Sequence, residues 1–309
     1  MPPRPRRSVL YVPAVNAKAL AKLPALDADA VIVDCEDAVA PESKAEARAA
    51  LATLPRPRGE LVIRVNGPAT EWFADDMAAA IGVRPDAILV PKVDHPADLR
   101  AAVDGFAELD EPPRLWAMIE TPKAILNIRE IAEFCANPGN RADCFVLGTN
   151  DLAKDLGLRG PARQILRPAL LQVLIAVRAA GLDLIDGVYN DFSDAAGFAA
   201  ECADGAALGF DGKSLIHPAQ IEVANAAFSP TAAEAALARA VAAAFALPEN
   251  AGRGVIALGG KMIERLHLAQ AERLLARANL PISPLAGEMS PQAPVGGSAD
   301  MSPRKDPAP

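Results

Sequence analysis

Charged residues of both signs follow several short apolar runs of this sequence. In the segment VIVDCEDAV, Asp34, Glu36 and Asp37 come directly after the apolar residues 31–33. Carboxylates packed this closely repel one another and lose hydration when they are buried, so they need a cation, hydrogen-bond donors or water to stay ionised. The segment therefore predicts a site at which acidic side chains face a cation.

Other candidate site residues stand at the ends of further apolar runs. They are Arg64, Asn66, Lys92, Glu120, Asn150, Asp151 and His217. About one βα unit of sequence separates Glu120 from Asp151, so we expect them at matching heights on neighbouring strands. Mg²⁺ prefers one or two carboxylates together with waters and substrate oxygens. This pair predicts a magnesium site, and the acids of DCED would hold the waters or the neighbouring basic side chains.

Simpler explanations exist for most of these residues taken singly. Asp37 and Asp151 precede helical sequence and could be helix N-caps. Lys92 could extend its ammonium to the rim of the fold, and His217 could tie a loop through its ring. Arg64 lies inside an apolar strand, where a guanidinium requires a carboxylate or a substrate anion opposite it.

Eight short β-branched runs alternate with Ala-rich stretches of helical period. The predicted strands begin at Ser8, Ala30, Glu60, Ala87, Arg114, Cys144, Leu182 and Phe210. Eight βα units predict an α/β fold of the (β/α)₈ TIM-barrel type with a C-terminal helical appendage. In such a barrel the active site lies at the carboxyl ends of the strands, where the charged residues above fall.

The chain is expected to have three parts. Residues 1–228 form the barrel, and residues 229–280 form a helical appendage or lid with a short strand or turn between its two helices. Residues 281–309 are rich in Pro, Gly and Ser. The last part has almost no large apolar side chains and is predicted to be disordered.

Composition limits the class of protein further. The 309 residues are 51% hydrophobic with a formal net charge of -8, which argues against a general nucleic-acid or membrane binder. No run of about 18 uncharged apolar residues predicts a membrane span, so a cytoplasmic protein is expected. Four scattered cysteines without a C-x-x-C pair indicate reduced thiols rather than a zinc site or a disulfide framework.

The strand ends also carry a set of recognisable segments. They are RSVLYVP, DCEDAV, RVN, VPKV, IETPKAILN, GTNDLAKDLG, GFDGKSLIHPAQI and GKMIE. Together, in this order, they resemble the citrate lyase beta-subunit-like family of the HpcH/HpaI aldolase superfamily, over about residues 7 to 278.

This resemblance implies a Mg²⁺-dependent carbon–carbon lyase. Its substrate would be a 3-hydroxyacyl thioester such as malyl-CoA, citramalyl-CoA or a citryl thioester, and retro-Claisen cleavage would give a 2-oxo acid and an acyl thioester. By resemblance, Glu120 and Asp151 would bind the metal and Arg64 would face the thioester oxygen. The implied partners are coenzyme A or acyl carrier protein, and copies of the chain in a homo-oligomer, a trimer.

Two positions depart from the family pattern. Glu264 in GKMIE stands where members usually have Asp, and Cys35 stands where they usually have Leu. We expect Glu264 to act as a catalytic acid or base delivered by a neighbouring subunit. Two alternatives remain: a malyl-CoA-type thioesterase using the same site, and a non-catalytic subunit of a multi-subunit lyase.

Overall fold

Eight parallel strands close into a barrel in the computed structural model, which describes residues 4–107 and 109–277. They are β1 (Ser8–Pro13), β2 (Ala30–Asp34), β3 (Glu60–Arg64), β4 (Ala87–Val90), β5 (Arg114–Ile119), β6 (Ala142–Leu147), β7 (Asp183–Asp186) and β8 (Gly212–Leu215). Each strand pairs with the next in chain order, and β8 pairs with β1. Every strand begins within two residues of its predicted start, and the predicted TIM barrel is confirmed.

Helices follow the strands and pack on the outside of the barrel. They are α1 (Ala17–Leu20), α2 (Lys44–Leu51), α3 (Phe73–Val83), α4 (Pro96–Asp104), α5 (Pro122–Leu126), α6 (Ile128–Ala136), α7 (Thr149–Asp155), α8 (Ala162–Ala179), α9 (Ala195–Leu208) and α10 (Ile221–Ala227). Their apolar residues recur at helical spacing: in α8 the buried positions are Leu166, Leu170, Val173 and Val177. This spacing forms one apolar stripe that faces the barrel.

Alternation along each strand divides the core into two layers. Val9, Ile32, Val62, Trp116 and Ile185 fill the barrel interior together with other inward-facing residues. The residues between them point outward and join the larger cluster beneath the helices. Because alternate residues of a strand face the same side, the interior positions predict which residues at the strand ends point into the mouth.

Arg6 occupies the end of the barrel where the strands begin. Its guanidinium lies 3.0 Å from Glu60, 2.9 Å from Asp143 and 3.1 Å from Asp183. It also lies 4.8 Å from the ring centroid of Trp116. These ion pairs link the starts of β3, β6 and β7. The amino-terminal end of a TIM barrel generally contributes to stability rather than to catalysis.

The chain divides into two compact units, and the barrel unit is Pro5–Ser229. The described part of the second unit contains α11 (Ala232–Ala246), β9 (Val255–Leu258), β10 (Lys261–Glu264) and α12 (Arg265–Arg277). β9 and β10 form an antiparallel hairpin, so the appendage is not purely helical. Gly259 and Gly260 close it with φ angles of 56° and 76°, which is a tight hairpin turn that favours glycine.

The predictions of a disordered tail and of no membrane span extend to residues that the structure does not describe. The tail predicted to be disordered, residues 281–309, lies outside the described residues. Among the residues that are described, no helix is long and apolar enough to cross a membrane.

Closure of the barrel between β8 and β1 depends on a glycine. A Cβ at Gly212 would lie 1.8 Å from the carbonyl oxygen of Arg6, so the backbone would have to move. We expect Gly212→Ala to lower the free energy of unfolding by about 3 kcal/mol. Gly82 in α3 is the matched control, because a Cβ there meets nothing within 4 Å.

Gly82→Ala should raise the free energy of unfolding by about 0.5 to 1 kcal/mol, because alanine favours helix. Urea unfolding followed by circular dichroism measures both variants. Equal effects from the two substitutions would contradict the close approach at Gly212.

Candidate active site at the barrel mouth

Strand geometry directs three charged side chains into the mouth of the barrel. Asp34, Arg64 and Glu120 each lie two positions beyond a residue of the barrel interior, and alternate residues share a face. All three are at least nine-tenths buried. The fold therefore places two carboxylates and one guanidinium at the carboxyl ends of β2, β3 and β5.

Arg64 is held by a bidentate ion pair. Its Nε donates to Asp34 Oδ1 at 2.7 Å, and its Nη2 donates to Asp34 Oδ2 at 2.6 Å. Nη1 lies 2.8 Å from Glu36 Oε2, an ion pair without hydrogen-bond geometry. The guanidinium also lies 5.0 Å from the ring centroid of Tyr11 and 3.7 Å from the sulfur of Met118. These contacts fix its plane from several sides.

Glu36 lies beside Arg64 in a largely dry environment. Burial raises the pKa of Glu36 to about 8, although the nearby charge of Arg64 opposes the shift. Negative charge on Glu120 and Asp37 adds to the rise. The carboxyl group can therefore hold or release a proton near neutral pH.

Glu120 presents one carboxylate oxygen that lacks a hydrogen bond. Its Oε1 accepts the backbone N–H of Lys92 at 2.8 Å, whereas its buried Oε2 has no hydrogen-bond partner within the described chain. Burial raises the pKa of Glu120 to about 7 against the opposing charge of Lys92. A Cβ at Gly148 would lie 2.6 Å from Oε2, so glycine at this position leaves room for the carboxylate.

The ammonium of Lys92 lies between the carboxylates. It donates to Asp151 Oδ2 and lies 3.4 Å from Glu120 Oε2 and 3.8 Å from Asp37 Oδ2. Lys92 has a φ of 53°, a left-handed conformation that is uncommon for a residue with a side chain. This backbone also directs its N–H toward Glu120.

The pKa of Asp151 is shifted in the opposite direction from the pKa of Glu120. Burial alone would raise the pKa of Asp151, but the hydrogen bond and the charge from Lys92 outweigh it and lower the pKa. The carboxylates of Asp151 and Glu120 both lie beside the ammonium of Lys92. Asp151 is not the N-cap of α7, because Gly148 occupies that position.

Asn66, Asn150 and His217, which were also predicted as site residues, have their main contacts outside the cluster of Arg64, Lys92 and the carboxylates. The Asn66 side chain donates to the carbonyl of Cys35 at 3.0 Å and to Asp76. The exposed amide of Asn150 exchanges two hydrogen bonds with the Asn190 amide.

His217 is exposed. Its Nδ1 accepts the backbone N–H of Ala219 at 3.2 Å, and its ring stacks on Phe192 with centroids 5.0 Å apart. It ties a loop, as the simpler explanation expects.

Sequence reasoning missed several residues that shape the site. Tyr11 and Met118 line the mouth beneath Arg64, and strand alternation could have identified both. Lys44 and Asp76 support the acidic segment from outside the barrel. Gly148 offers a weaker signal, since only the fold shows which side chain it admits.

The donor set suits a hard cation. Glu120 and Asp151 converge on one positive group, the ammonium of Lys92, and Glu120 Oε2 has acceptor capacity left. Within residues 4–107 and 109–277, no group of three or more His, Cys, Asp or Glu side chains could hold a metal ion. Glu120 and Asp151 form a pair of carboxylates, and Mg²⁺ is commonly held by one or two carboxylates because it keeps several waters.

Several known proteins are similar to this chain over most of its length. The chain is 47% identical over 279 residues to a (3S)-malyl-CoA thioesterase of Cereibacter sphaeroides, covering 89% of this chain and 95% of that protein. It is 32% identical over 291 residues to the mitochondrial citramalyl-CoA lyase of Homo sapiens, covering 89% and 86%. A crystal structure of CitE from Mycobacterium tuberculosis with magnesium, acetoacetate and coenzyme A has a TM-score of 0.70 and 31% identity, covering 90% of this chain and 98% of that chain.

A closed parallel barrel with paired carboxylates and a buried arginine at its mouth defines a TIM-barrel enzyme. Residues 7–218 match the family described as HpcH/HpaI aldolase/citrate lyase. The chain belongs to the HpcH/HpaI aldolase/citrate lyase family. The expected membership of a carbon–carbon lyase family is thereby confirmed.

The buried carboxyl of Glu120 gives stability a pH dependence that chelator-treated protein should show. Its pKa rises from 4.5 to about 7 on folding, so between these values the native state holds a proton that the unfolded state has released. The contribution of Glu120 to the free energy of unfolding therefore falls as pH rises through this window. We expect the free energy of unfolding of Glu120→Gln to exceed that of wild type by about 1 to 3 kcal/mol near pH 8.5 and to match it near pH 4.

Asp151→Asn is the matched control, because its effect on the free energy of unfolding should have the opposite sign. Its lowered pKa stabilises the native state at neutral pH and loses this effect as the pH falls through the folded pKa. Asp151→Asn should therefore be less stable than wild type near pH 8.5. Urea titrations in EDTA measure both variants, and a destabilised Glu120→Gln protein at alkaline pH would contradict the assignment.

Proposed function

We propose that this protein is a Mg²⁺-dependent enzyme that acts on the coenzyme A thioester of a 3-hydroxy acid of the malyl type. The observation that carries the proposal is the joint presence of the Glu120–Asp151 pair and the buried Arg64 at one barrel mouth. Support comes from the relatives, which are named for malyl-CoA and citramalyl-CoA, and from CitE, which was crystallised with magnesium and coenzyme A.

Glu120 and Asp151 are the residues proposed to hold the metal. Glu120 Oε2 is buried and without a hydrogen bond, and Asp151 lies close enough to bond the same ammonium as Glu120. Bound Mg²⁺ would polarise the substrate's carboxylate and hydroxyl oxygens and lower the pKa of the hydroxyl. Asp34, Glu36 and Asp37 would remain on the side of the mouth that Arg64 occupies.

Arg64 is proposed to stabilise negative charge on the thioester oxygen. Two of its N–H groups are committed to Asp34, and a guanidinium has five, so donors remain for a substrate. A fixed, buried cation needs little reorganisation as charge develops, and one such donor is often worth about 3 to 4 kcal/mol. Its contacts with Asp34 and Tyr11 keep the guanidinium plane in place.

Thioester hydrolysis is the first of two reactions that this site could perform. Water would bond to the thioester carbon, the carbon–sulfur bond would break, and coenzyme A would leave with a proton. The 47% identity to a (3S)-malyl-CoA thioesterase across nearly the whole of both chains favours this reaction. The intact acidic and basic residues of the mouth argue against a non-catalytic subunit.

Retro-Claisen cleavage is the second reaction. The hydroxyl would lose its proton, the carbon–carbon bond would break to release a 2-oxo acid, and the thioester enolate would take up a proton at carbon. Membership of the aldolase/citrate lyase family and 32% identity to a citramalyl-CoA lyase favour it. Both reactions need the same metal, the same arginine and a group that transfers a proton.

A panel of coenzyme A thioesters tests the proposal. Malyl-CoA and citramalyl-CoA are incubated with the purified chain and Mg²⁺, and free thiol, hydroxy acid and 2-oxo acid are measured separately. We expect thiol with intact hydroxy acid for hydrolysis, and a 2-oxo acid for cleavage. EDTA and Glu120→Gln should both abolish turnover, whereas the exposed-site variant Lys18→Met should not change it. Turnover that persists in EDTA would contradict the metal site.

Glu264 is the candidate acid or base. It is the last residue of β10, and its backbone N–H donates to His267 Nδ1 at 2.9 Å. Its carboxylate makes no hydrogen bond or ion pair within the described part of the chain, so it is available for chemistry. We propose that a homo-oligomer brings it to the mouth of another copy.

Subunit mixing tests the shared site. Glu264→Gln and Arg64→Ala proteins should each be inactive, because each lacks one group of every composite site. Mixed under conditions that exchange subunits, they should regain partial turnover, because some sites then combine an intact Arg64 with an intact Glu264. Exchange is monitored by mass spectrometry of differently tagged copies. No recovery despite complete exchange would contradict the proposal.

A further inference from the structure

Lys44 is a buried lysine outside the barrel that the proposed chemistry does not use. It is the first residue of α2 and is 5% exposed. Its ammonium donates to the carbonyl oxygens of Cys35 at 3.0 Å and of Glu36 at 2.8 Å. It lies 5.2 Å from the ring centroid of Trp72. Within the described residues it forms no ion pair with a carboxylate, which is unusual for a buried charge.

The peptide unit between Cys35 and Glu36 connects Lys44 to the mouth. Its carbonyl oxygen accepts from Lys44, and its N–H, on Glu36, donates to Asp34 Oδ1 at 2.9 Å. A cation at the oxygen and a carboxylate at the N–H both stabilise this orientation of the peptide dipole. Rotation of the peptide plane would break both contacts together.

All the hydrogen-bond acceptor sites of the Asp34 carboxylate are occupied in this arrangement. It accepts two hydrogen bonds from Arg64 and one each from the backbone N–H groups of Glu36 and Ala38. A carboxylate has about four acceptor sites, so its position and that of Arg64 depend on where the 35–38 backbone lies. Lys44 holds that backbone from the opposite side.

We propose that Lys44 is a positioning residue that fixes the Asp34–Arg64 pair through the Cys35–Glu36 peptide. The inference rests on the proposed function, because Arg64 is the group whose placement it serves. Lys44 itself lies behind the peptide, and the reacting atoms would meet Arg64 rather than the ammonium.

A second set of contacts supports the same carbonyl. The Asn66 side chain also donates to the oxygen of Cys35 at 3.0 Å. Asp76 holds Asn66 and accepts from Arg48 at 3.1 Å. Because α2 supplies Lys44 and Arg48 and α3 supplies Asp76, two helices outside the barrel define the backbone that carries the acidic segment.

Lys44→Met is the variant that tests the proposal, because it keeps the length and apolar stem of the side chain and removes the charge. Lys18→Met, at an exposed position of α1, is the matched control. Lys44→Arg is the conservative variant, since a guanidinium retains donors for the two carbonyl oxygens. Trp72→Leu is a milder variant that removes the aromatic face beside the ammonium.

Two readouts separate positioning from general stabilisation. Hydrogen–deuterium exchange followed by mass spectrometry reports the amides of residues 35–39, including the two that donate to Asp34. Turnover with the active thioester reports kcat and KM separately. For Lys44→Met we expect faster exchange confined to residues 35–39, and a loss of roughly tenfold in kcat with KM little changed. Lys44→Arg should recover part of the exchange protection and part of kcat, and Lys18→Met should match wild type in both measurements.

The opposite results overturn the proposal. One is a folded Lys44→Met protein with wild-type kcat and unchanged exchange at residues 35–39. The other is a loss of kcat that accompanies faster exchange throughout the barrel. If Lys44→Met does not fold, Trp72→Leu decides: a local increase in exchange with a smaller loss of about threefold in kcat supports the proposal, and no change in either overturns it.

The exchange experiment also distinguishes this proposal from the proposed function. A wild-type chain that turns over no thioester contradicts the function, while local exchange in Lys44→Met still reports whether Lys44 fixes the Asp34 contacts. Active wild type with unaltered local exchange in the variant contradicts the role of Lys44 alone.

Discussion

The bidentate pair of Arg64 and Asp34 is the interaction on which the barrel mouth depends. Both side chains are almost completely buried, and removing two such charges from water costs several kcal/mol per ion. That cost is offset only when geometry is good and the remaining acceptor sites are filled. Backbone N–H groups from Glu36 and Ala38 fill them, so the acidic segment after β2 must adopt one conformation for the pair to be stable.

Burial is the main cause of the raised pKa values of Glu36 and Glu120, and the excess of carboxylates over cations at the mouth adds to it. The acidic side chains are Asp34, Glu36, Asp37, Glu120 and Asp151, against Arg64, Lys92 and the exposed Lys154. Asp34 and Asp151 have the direct ionic hydrogen bonds, whereas burial raises the pKa of Glu36 and Glu120. A divalent cation at Glu120 would reduce the repulsion that a single lysine leaves in place.

The fold could be predicted from the sequence because the barrel repeats one simple pattern. Apolar runs ending in polar residues marked the strands, and their ends placed Asp34, Arg64 and Glu120 at the barrel mouth. The same pattern could not show that Lys92 lies between Glu120 and Asp151. That contact depends on a left-handed backbone at Lys92, which no periodicity indicates. Only a short strand or turn was predicted before α12, and the second strand of the hairpin was not, because four-residue strands in a small unit leave little alternation to detect.

Hydrolysis and carbon–carbon cleavage place the same demands on most of this site. In the proposed function, each reaction would hold the hydroxy acid at the Glu120 side and the thioester oxygen at Arg64, and each would develop negative charge on that oxygen. They diverge at the proton-transfer step, where a carboxyl must reach either the α-carbon of an enolate or a water beside the thioester carbon. Glu264 is one methylene longer than aspartate, which moves the carboxyl by about an ångström, and proton transfer is sensitive to such distances. In the proposed shared site, Glu264 rather than the barrel mouth would therefore select the reaction.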